Sequence, residues 1–289
     1  MAGRVGKGAV RAMVTPVVVV PGGVPYRLSA ALVVVAGLAA ALSFFVPGAL
    51  LGPPVSVGSL RGTALVVLVV AVPALVAGMS ITARGSAHGP VLWLGAVAYL
   101  LYNAVMFAFA TPLNRFFLLY VAMLALALWS VAAVLWATDL RSMADRSSPR
   151  LPARAVAGYV WIVVVLNALA WLGRIVPALR RGDPQSLVEG IGVATNPVYV
   201  QDLAGWLPAA AVAAWWLWRR RPAGVLLVGA VLTMWVVEAL SVAVDQWFGH
   251  AADPASPVAS AVMTPVFAVV ALVGLVPLVV LTRRLDPHR

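Results

Sequence analysis

The chain has no cysteine in 289 residues, which excludes disulfide chemistry, quinone-coupled disulfide formation and thiolate metal ligation. Lysine is almost as scarce. The single one, Lys7, lies in the N-terminal segment, and no glycine-rich phosphate loop accompanies it, so an ATP-driven motor in this chain is excluded. The three histidines, His88, His250 and His288, all fall outside the long apolar runs. None of those runs can supply the buried histidine pair of a membrane b-type haem. Charged residues make up only 10% of the chain, and no catalytic signature, metal-ligand cluster or nucleophile–base pair is recognisable among them. No cofactor and no metal are expected.

What fills the chain is apolar. Hydrophobic residues reach 63% and the mean hydropathy is +1.00, which a soluble domain with a polar surface cannot sustain. A membrane span needs roughly 20 apolar residues. Eight stretches qualify, at residues 28–47, 62–83, 90–110, 113–137, 155–176, 199–218, 222–248 and 260–282. The expected fold is therefore all-α, a polytopic transmembrane helical bundle occupying residues 28–283. Residues 1–27 read as a flexible basic tail and 284–289 as a short C-terminal one. The apolar stretch Met13 to Val20 is interrupted by Pro16 and too short to span, so the first helix is expected to remain uncleaved.

The net charge of +11 is mostly arginine, gathered in alternate connections. With the N-terminus inside, Arg4, Lys7, Arg11, Arg27, Arg84, Arg141, Arg146, Arg150, Arg154, Arg219, Arg220, Arg221, Arg283, Arg284 and Arg289 fall on the cytoplasmic side. Only Arg61, Arg115, Arg174, Arg180 and Arg181 fall opposite. That asymmetry fits the positive-inside rule for an even number of spans with both termini cytoplasmic. Scattered over short loops, the arginines offer no basic face for nucleic acid. The expected location is a cell membrane of bacterial inner-membrane type, with the lipid bilayer as the first partner.

Three spans carry polar stripes at helical spacing. Tyr99, Tyr102, Asn103 and Met106 form one, and Asn167, Trp171 and Arg174 a second. Met234, Trp235, Glu238, Ser241 and Asp245 form the third. Glu238 is the only carboxylate set well inside a membrane-length run, and an ionisable residue there marks a functional site by default. Helix-to-helix hydrogen bonds are the plainer use of such stripes. At about 1.5 Å per residue, Glu238 and Asn103 both lie in the outer half of a core about 30 Å thick. Asn167 falls near the midplane, and Arg174, Asp245, Arg115 and Asp202 at the outer boundary. The pattern predicts a polar pocket open to the extracytoplasmic side above an apolar floor.

Thr111-Pro112, Asn196-Pro197 and Thr264-Pro265 each place a capping residue before a proline, where the fourth, sixth and eighth spans are expected to start. Three helix N-termini would then face outward and, with Arg115 and Arg174, could hold an anion. The alternative is that these arginines neutralise Asp202, Asp245 or Glu238.

Two blocks carry a resemblance. Tyr102-Asn103, followed by Asn114-Arg115-Phe116-Phe117-Leu118-Leu119-Tyr120-Val121-Ala122, is the first. The second is Thr195-Asn196-Pro197-Val198-Tyr199-Val200 with Asp202-Leu203, then Trp218 to Gly224. Together they resemble a group of uncharacterised bacterial integral membrane proteins. The resemblance covers spans three to seven, implies an all-helical fold and no activity, and adds Asn114 and Tyr199 to the residues of interest.

Three functional readings follow. In the first, Tyr102, Asn103, Asn114, Arg115, Asn167, Arg174, Tyr199, Asp202, Glu238 and Asp245 bind a small solute, ion or lipid headgroup, for recognition or transport. The expected ligand is small and anionic or polar. In the second, the chain is a non-catalytic accessory or assembly subunit with a membrane-protein partner, using the tryptophans around Trp215 as a surface. In the third, it is an intramembrane enzyme acting on a lipid-linked substrate.

Overall fold

The computed structural model describes residues 23–286, and these are almost entirely helical. Among them there is no β-strand, only an isolated bridge between Ser147 and Leu285. Seven helices are long and apolar enough to cross a membrane. They are α1 (Val24–Phe45), α2 (Pro54–Ala83), α3 (His88–Phe109), α4 (Phe117–Ala137), α6 (Ala153–Arg180), α8 (Pro222–Ala252) and α9 (Met263–Thr282). A short helix, α5 (Leu140–Asp145), lies between α4 and α6. A further helix, α7, runs over residues 197–218 as Pro197–Gln201, Asp202–Trp206 and Leu207–Trp218, with helical backbone angles across both junctions. The basic segment 1–22 and residues 287–289 lie outside the described residues, and Val24 to Arg27 already belong to α1.

Two helices change gauge for the same reason. Val67–Ala71 in α2 and Asp202–Trp206 in α7 are π turns, and Pro73 and Pro208 stand two residues past their ends. A helical proline lacks its N–H and collides with the carbonyl four residues back. One wider turn relieves the collision without breaking the helix.

Side-chain and backbone bonds sort the connections into two ends. At one end Asp286 accepts hydrogen bonds from the Ala87 N–H (2.8 Å), the Ser86 hydroxyl (3.2 Å) and the Arg146 guanidinium (3.2 Å). Arg146 also donates to the Gly85 carbonyl, and Arg220 to that of Leu151. This end gathers the turns after α2, α4, α7 and α9, and with them most of the arginines. At the opposite end Thr111 bonds both the N–H and the carbonyl of Leu51, Ser56 reaches the Ile191 carbonyl, and the Ser260 N–H donates to Gln246.

The core is a close-packed set of α1, α2, α3 and α8. In lipid, helices approach through small residues because burial from water gives no drive between them. Gly58 and Gly62 form such a seam on α2. A Cβ at Gly58 would stand 2.5 Å from the Phe248 carbonyl, and one at Gly62 2.8 Å from an Asp245 carboxylate oxygen. Gly95 of α3 abuts Thr233 of α8 in the same way. Polar bonds fasten these contacts: Trp93 donates to Ser29 (2.8 Å), Tyr99 to Ser241 (3.0 Å), and Ser43 pairs with Tyr120 (2.8 Å).

Several expected boundaries shift. The second helix begins at Pro54, eight residues before position 62, so that Arg61 is a half-buried helical residue and not part of a connection. The fourth begins at Phe117 because the Asn114 side chain closes a turn on the Phe116 N–H (2.9 Å). Two of the three expected caps are corrected. The Thr111 hydroxyl is taken by Leu51, and Thr264 lies inside α9, whose N-cap position is Val262. Only Asn196 caps as read, accepting from the Val198 N–H at 3.0 Å.

Candidate functional site

A cavity of about 650 Å³ is lined by α3, α6, α7, α8 and α9, with Thr63 of α2. Its floor is one face of α8, from Leu232 through Trp235, Glu238 and Val242 to Asp245. α3 contributes Tyr102, Asn103 and Met106, and α6 contributes Tyr159, Asn167, Trp171 and Arg174. Asp202 and Trp206 come from α7, Phe267 and Val270 from α9, and Thr63 from α2. α6 packs along α7 but meets α8 and α9 at few points, so the cavity occupies the gap between them. The polar groups gather toward the arginine-poor end. Toward the other end the lining becomes Leu232, Met234, Val163 and Gly274, with Tyr159 beside Gly274.

Each carboxylate in the cavity is held by a neutral donor. Asn103 gives one N–H to Glu238 at 3.1 Å and the same amide nitrogen reaches the Tyr99 carbonyl at 3.2 Å. The indole of Trp171 donates to Asp202 at 2.8 Å. The Thr63 hydroxyl sits 3.1 Å from both oxygens of Asp245, while Ser59 donates to the Asp245 backbone carbonyl at 3.2 Å. Among the described residues no ion pair involves Glu238, Asp202 or Asp245; both ion pairs found there belong to Asp286, with Arg146 and His88. Ion pairing of these carboxylates with Arg115 or Arg174, one of the two alternatives left open by the sequence, is absent from this geometry.

The local chain explains the placement. Asp202 opens the π turn that Pro208 imposes, so the helix is widest where it presents Asp202, Trp206 and Leu207 to the cavity. Tyr102 packs toward Trp206 with ring centroids 6.1 Å apart, and Tyr199 against Trp171 at 5.0 Å. These ring contacts hold the aromatic wall.

Of the residues singled out from the sequence, Tyr102, Asn103, Asn167, Arg174, Asp202, Glu238 and Asp245 share this one cavity. Three do not line it. Tyr199 stands behind Trp171. Asn114 is spent on its own turn, and Arg115 lies over the Phe116 ring with a long 3.5 Å contact to the Pro47 carbonyl. Arg115, in the turn before α4, is not among the residues that line the cavity with Arg174. Tyr99 and Ser241, on the same stripes, serve as a bond between α3 and α8.

Thr63, Tyr159 and Gln246 line the cavity and were not anticipated. Thr63 falls inside the expected span 62–83 but belongs to none of the three polar stripes. The small-residue spacing Gly58 to Gly62 was the signal that could have placed it against Asp245. Among the described residues no group of three or more His, Cys, Asp or Glu side chains could hold a metal ion.

The chain matches no protein-family model, no curated protein and no solved structure. The functional reading therefore rests on the cavity.

Proposed function

We propose that the protein is an eight-span membrane protein, with both termini cytoplasmic, that binds a small polar solute, ion or lipid headgroup for recognition or transport. The observation that carries this reading is the convergence of Asn103, Asn167, Asp202 and Glu238, from four different helices, on one cavity of about 650 Å³. Structural hydrogen bonds alone would leave no such space, since helices that use polar residues as glue close upon them. The arginine bias supports an outward-facing polar end of the cavity, in a cell membrane. The eighth span is α7, whose 22 helical residues at 197–218 reach from the arginine-poor end to the arginine-rich end.

Chemistry on a lipid-linked substrate has less support. The carboxylates face amide, indole and hydroxyl donors, and the Thr63 hydroxyl beside Asp245 joins α2 to α8 as one such bond. An accessory role would need the cavity to be filled by a partner.

The test is occupancy. Purified protein is analysed by native mass spectrometry for a co-purifying molecule, in the wild type and in Ala170→Trp, which places an indole on the cavity wall. The expected result is a bound molecule that the substitution expels while the helical signal and melting temperature persist. A bound species retained in Ala170→Trp would place it elsewhere and refute the reading.

A further inference from the structure

We propose that the ligand is an organic ammonium ion with an apolar body, held by carboxylates and aromatic rings; this deepens the binding reading and rests on it. Four observations converge on that class.

The first is charge. Three carboxyl groups line the cavity, Asp202, Glu238 and Asp245, against the single guanidinium of Arg174. Because none of the three is ion-paired, a cation entering the cavity meets acceptors that nothing positive already occupies. An anion would have to approach all three.

The second is spacing. Glu238 and Asp245 are seven residues apart on α8, about 10 Å along the axis, and Asp202 comes from a different helix, α7. They do not close on one point, in keeping with the lack of a metal-holding group among the described residues. A compact metal ion needs several oxygens within about 2–2.6 Å. An alkylammonium needs only one carboxylate and something to surround its methylene or methyl groups.

The third is the wall. Tyr102, Trp171, Trp206, Trp235 and Phe267 line the same cavity. Faces of tryptophan and tyrosine attract cations through the ring quadrupole, and aromatic boxes with a nearby carboxylate recognise substituted ammonium groups. Trp171 is placed for both tasks, since its N–H is committed to Asp202 and its ring lines the cavity.

The fourth is the loss of the anion cradle. α4 and α9 still begin at that end, at Phe117 and Met263, but Thr111 and Thr264 do not cap them, and neither those starts nor Arg115 line the cavity. Apolar residues deeper in, Leu232 and Met234, suit a hydrocarbon portion.

Free amines and ammonium-bearing lipid headgroups share this chemistry, and the experiment separates them. Purified protein is titrated with tetraethylammonium and, separately, with inorganic phosphate, following tryptophan fluorescence and melting temperature. Saturable binding of tetraethylammonium but not phosphate is expected, weakened at least about tenfold in both Glu238→Gln and Asp202→Asn. Two variants are used so that misfolding of one leaves the other to decide. Repeating the titration in nanodiscs of phosphatidylethanolamine and of phosphatidylglycerol identifies the source. Apparent weakening only in phosphatidylethanolamine shows that the headgroup competes for the site; equal affinity in both shows a free amine site. Absence of saturable tetraethylammonium binding, or binding unchanged in the folded carboxyl variants, overturns the ammonium proposal. If a co-purified molecule is still expelled by Ala170→Trp in that case, the binding reading stands and only the ligand class falls.

Discussion

Asn103 of α3 donates to Glu238 of α8 across 3.1 Å, joining the two helices where the cavity opens beside them. The contact has two parts of different character. Asn103 is buried and also bonds the Tyr99 carbonyl, so it is a fixed member of the bundle. Glu238 receives this one amide bond and lines the cavity. One residue holds, and the other is available.

Replacing Asn103 by Leu removes the donor and leaves the Glu238 carboxyl without it. Side-chain bonds inside membranes are worth about 0.6 kcal/mol on average and up to about 1.7 kcal/mol. The loss expected for Asn103→Leu is about 1–2 kcal/mol. In a double-mutant cycle with Glu238→Gln the coupling should be about 1 kcal/mol, read from denaturation in detergent. Strict additivity would mean that the two side chains do not communicate.

The seam between α2 and α8 makes a sharper mechanical prediction. A methyl group at Gly58 would press on the Phe248 backbone carbonyl and on Ala252, neither of which can move as a flexible side-chain tip would. Gly58→Ala should cost about 1–3 kcal/mol, as overpacking does. The same change at Gly37, where a Cβ meets nothing within 4 Å, should be neutral or stabilising by up to about 1 kcal/mol. Equal melting temperatures for the two variants would show that this approach is not close in solution.

Composition and periodicity made much of this legible and left particular things hidden. Apolar length announces the membrane helices, and the spacing of Asn103, Asn167 and Glu238 identifies faces because a 3.6-residue repeat survives in any tertiary setting. Caps were less legible. Thr111 before Pro112 has the local look of a helix start, yet its hydroxyl is claimed by Leu51, sixty residues away. Thr63 and Asp245 could not be paired from periodicity at all, since their meeting depends on how closely Gly58 and Gly62 let two backbones approach. The π turn at Asp202 was implicit in Pro208, but a proline inside an apolar run reads equally as a kink.

Acidification should loosen the arginine-rich end. Burial pushes the Asp286 carboxyl up, but the Ala87 N–H, the Arg146 charge and the Ser86 hydroxyl outweigh it and hold the group below the usual carboxylate range. A carboxyl depressed in the folded state stabilises above its unfolded value, near about pH 4, and loses that contribution as pH falls through the folded value. Wild type should therefore lose stability below about pH 4 more steeply than Asp286→Asn. At neutral pH the variant should be less stable by about 1–3 kcal/mol, having lost charge-assisted bonds. Parallel pH profiles for the two proteins would exclude this role for Asp286.

The absence of cysteine makes orientation directly measurable, because any introduced thiol is the only one. Ser148 lies in the connection after α5, Ser186 between α6 and α7, and Ser256 between α8 and α9. If α7 and α8 both cross, positions 186 and 256 lie on the same side of the membrane; if only α8 crosses, they lie on opposite sides. With the arginine-rich end cytoplasmic, an impermeant maleimide applied to intact spheroplasts should label Ser186→Cys and Ser256→Cys. Ser148→Cys should react only after permeabilisation. Labelling of 186 without 256 would remove α7 from the spans and return the count to seven. Labelling of 148 alone would keep eight spans and invert them, turning the polar end of the cavity toward the cytoplasm.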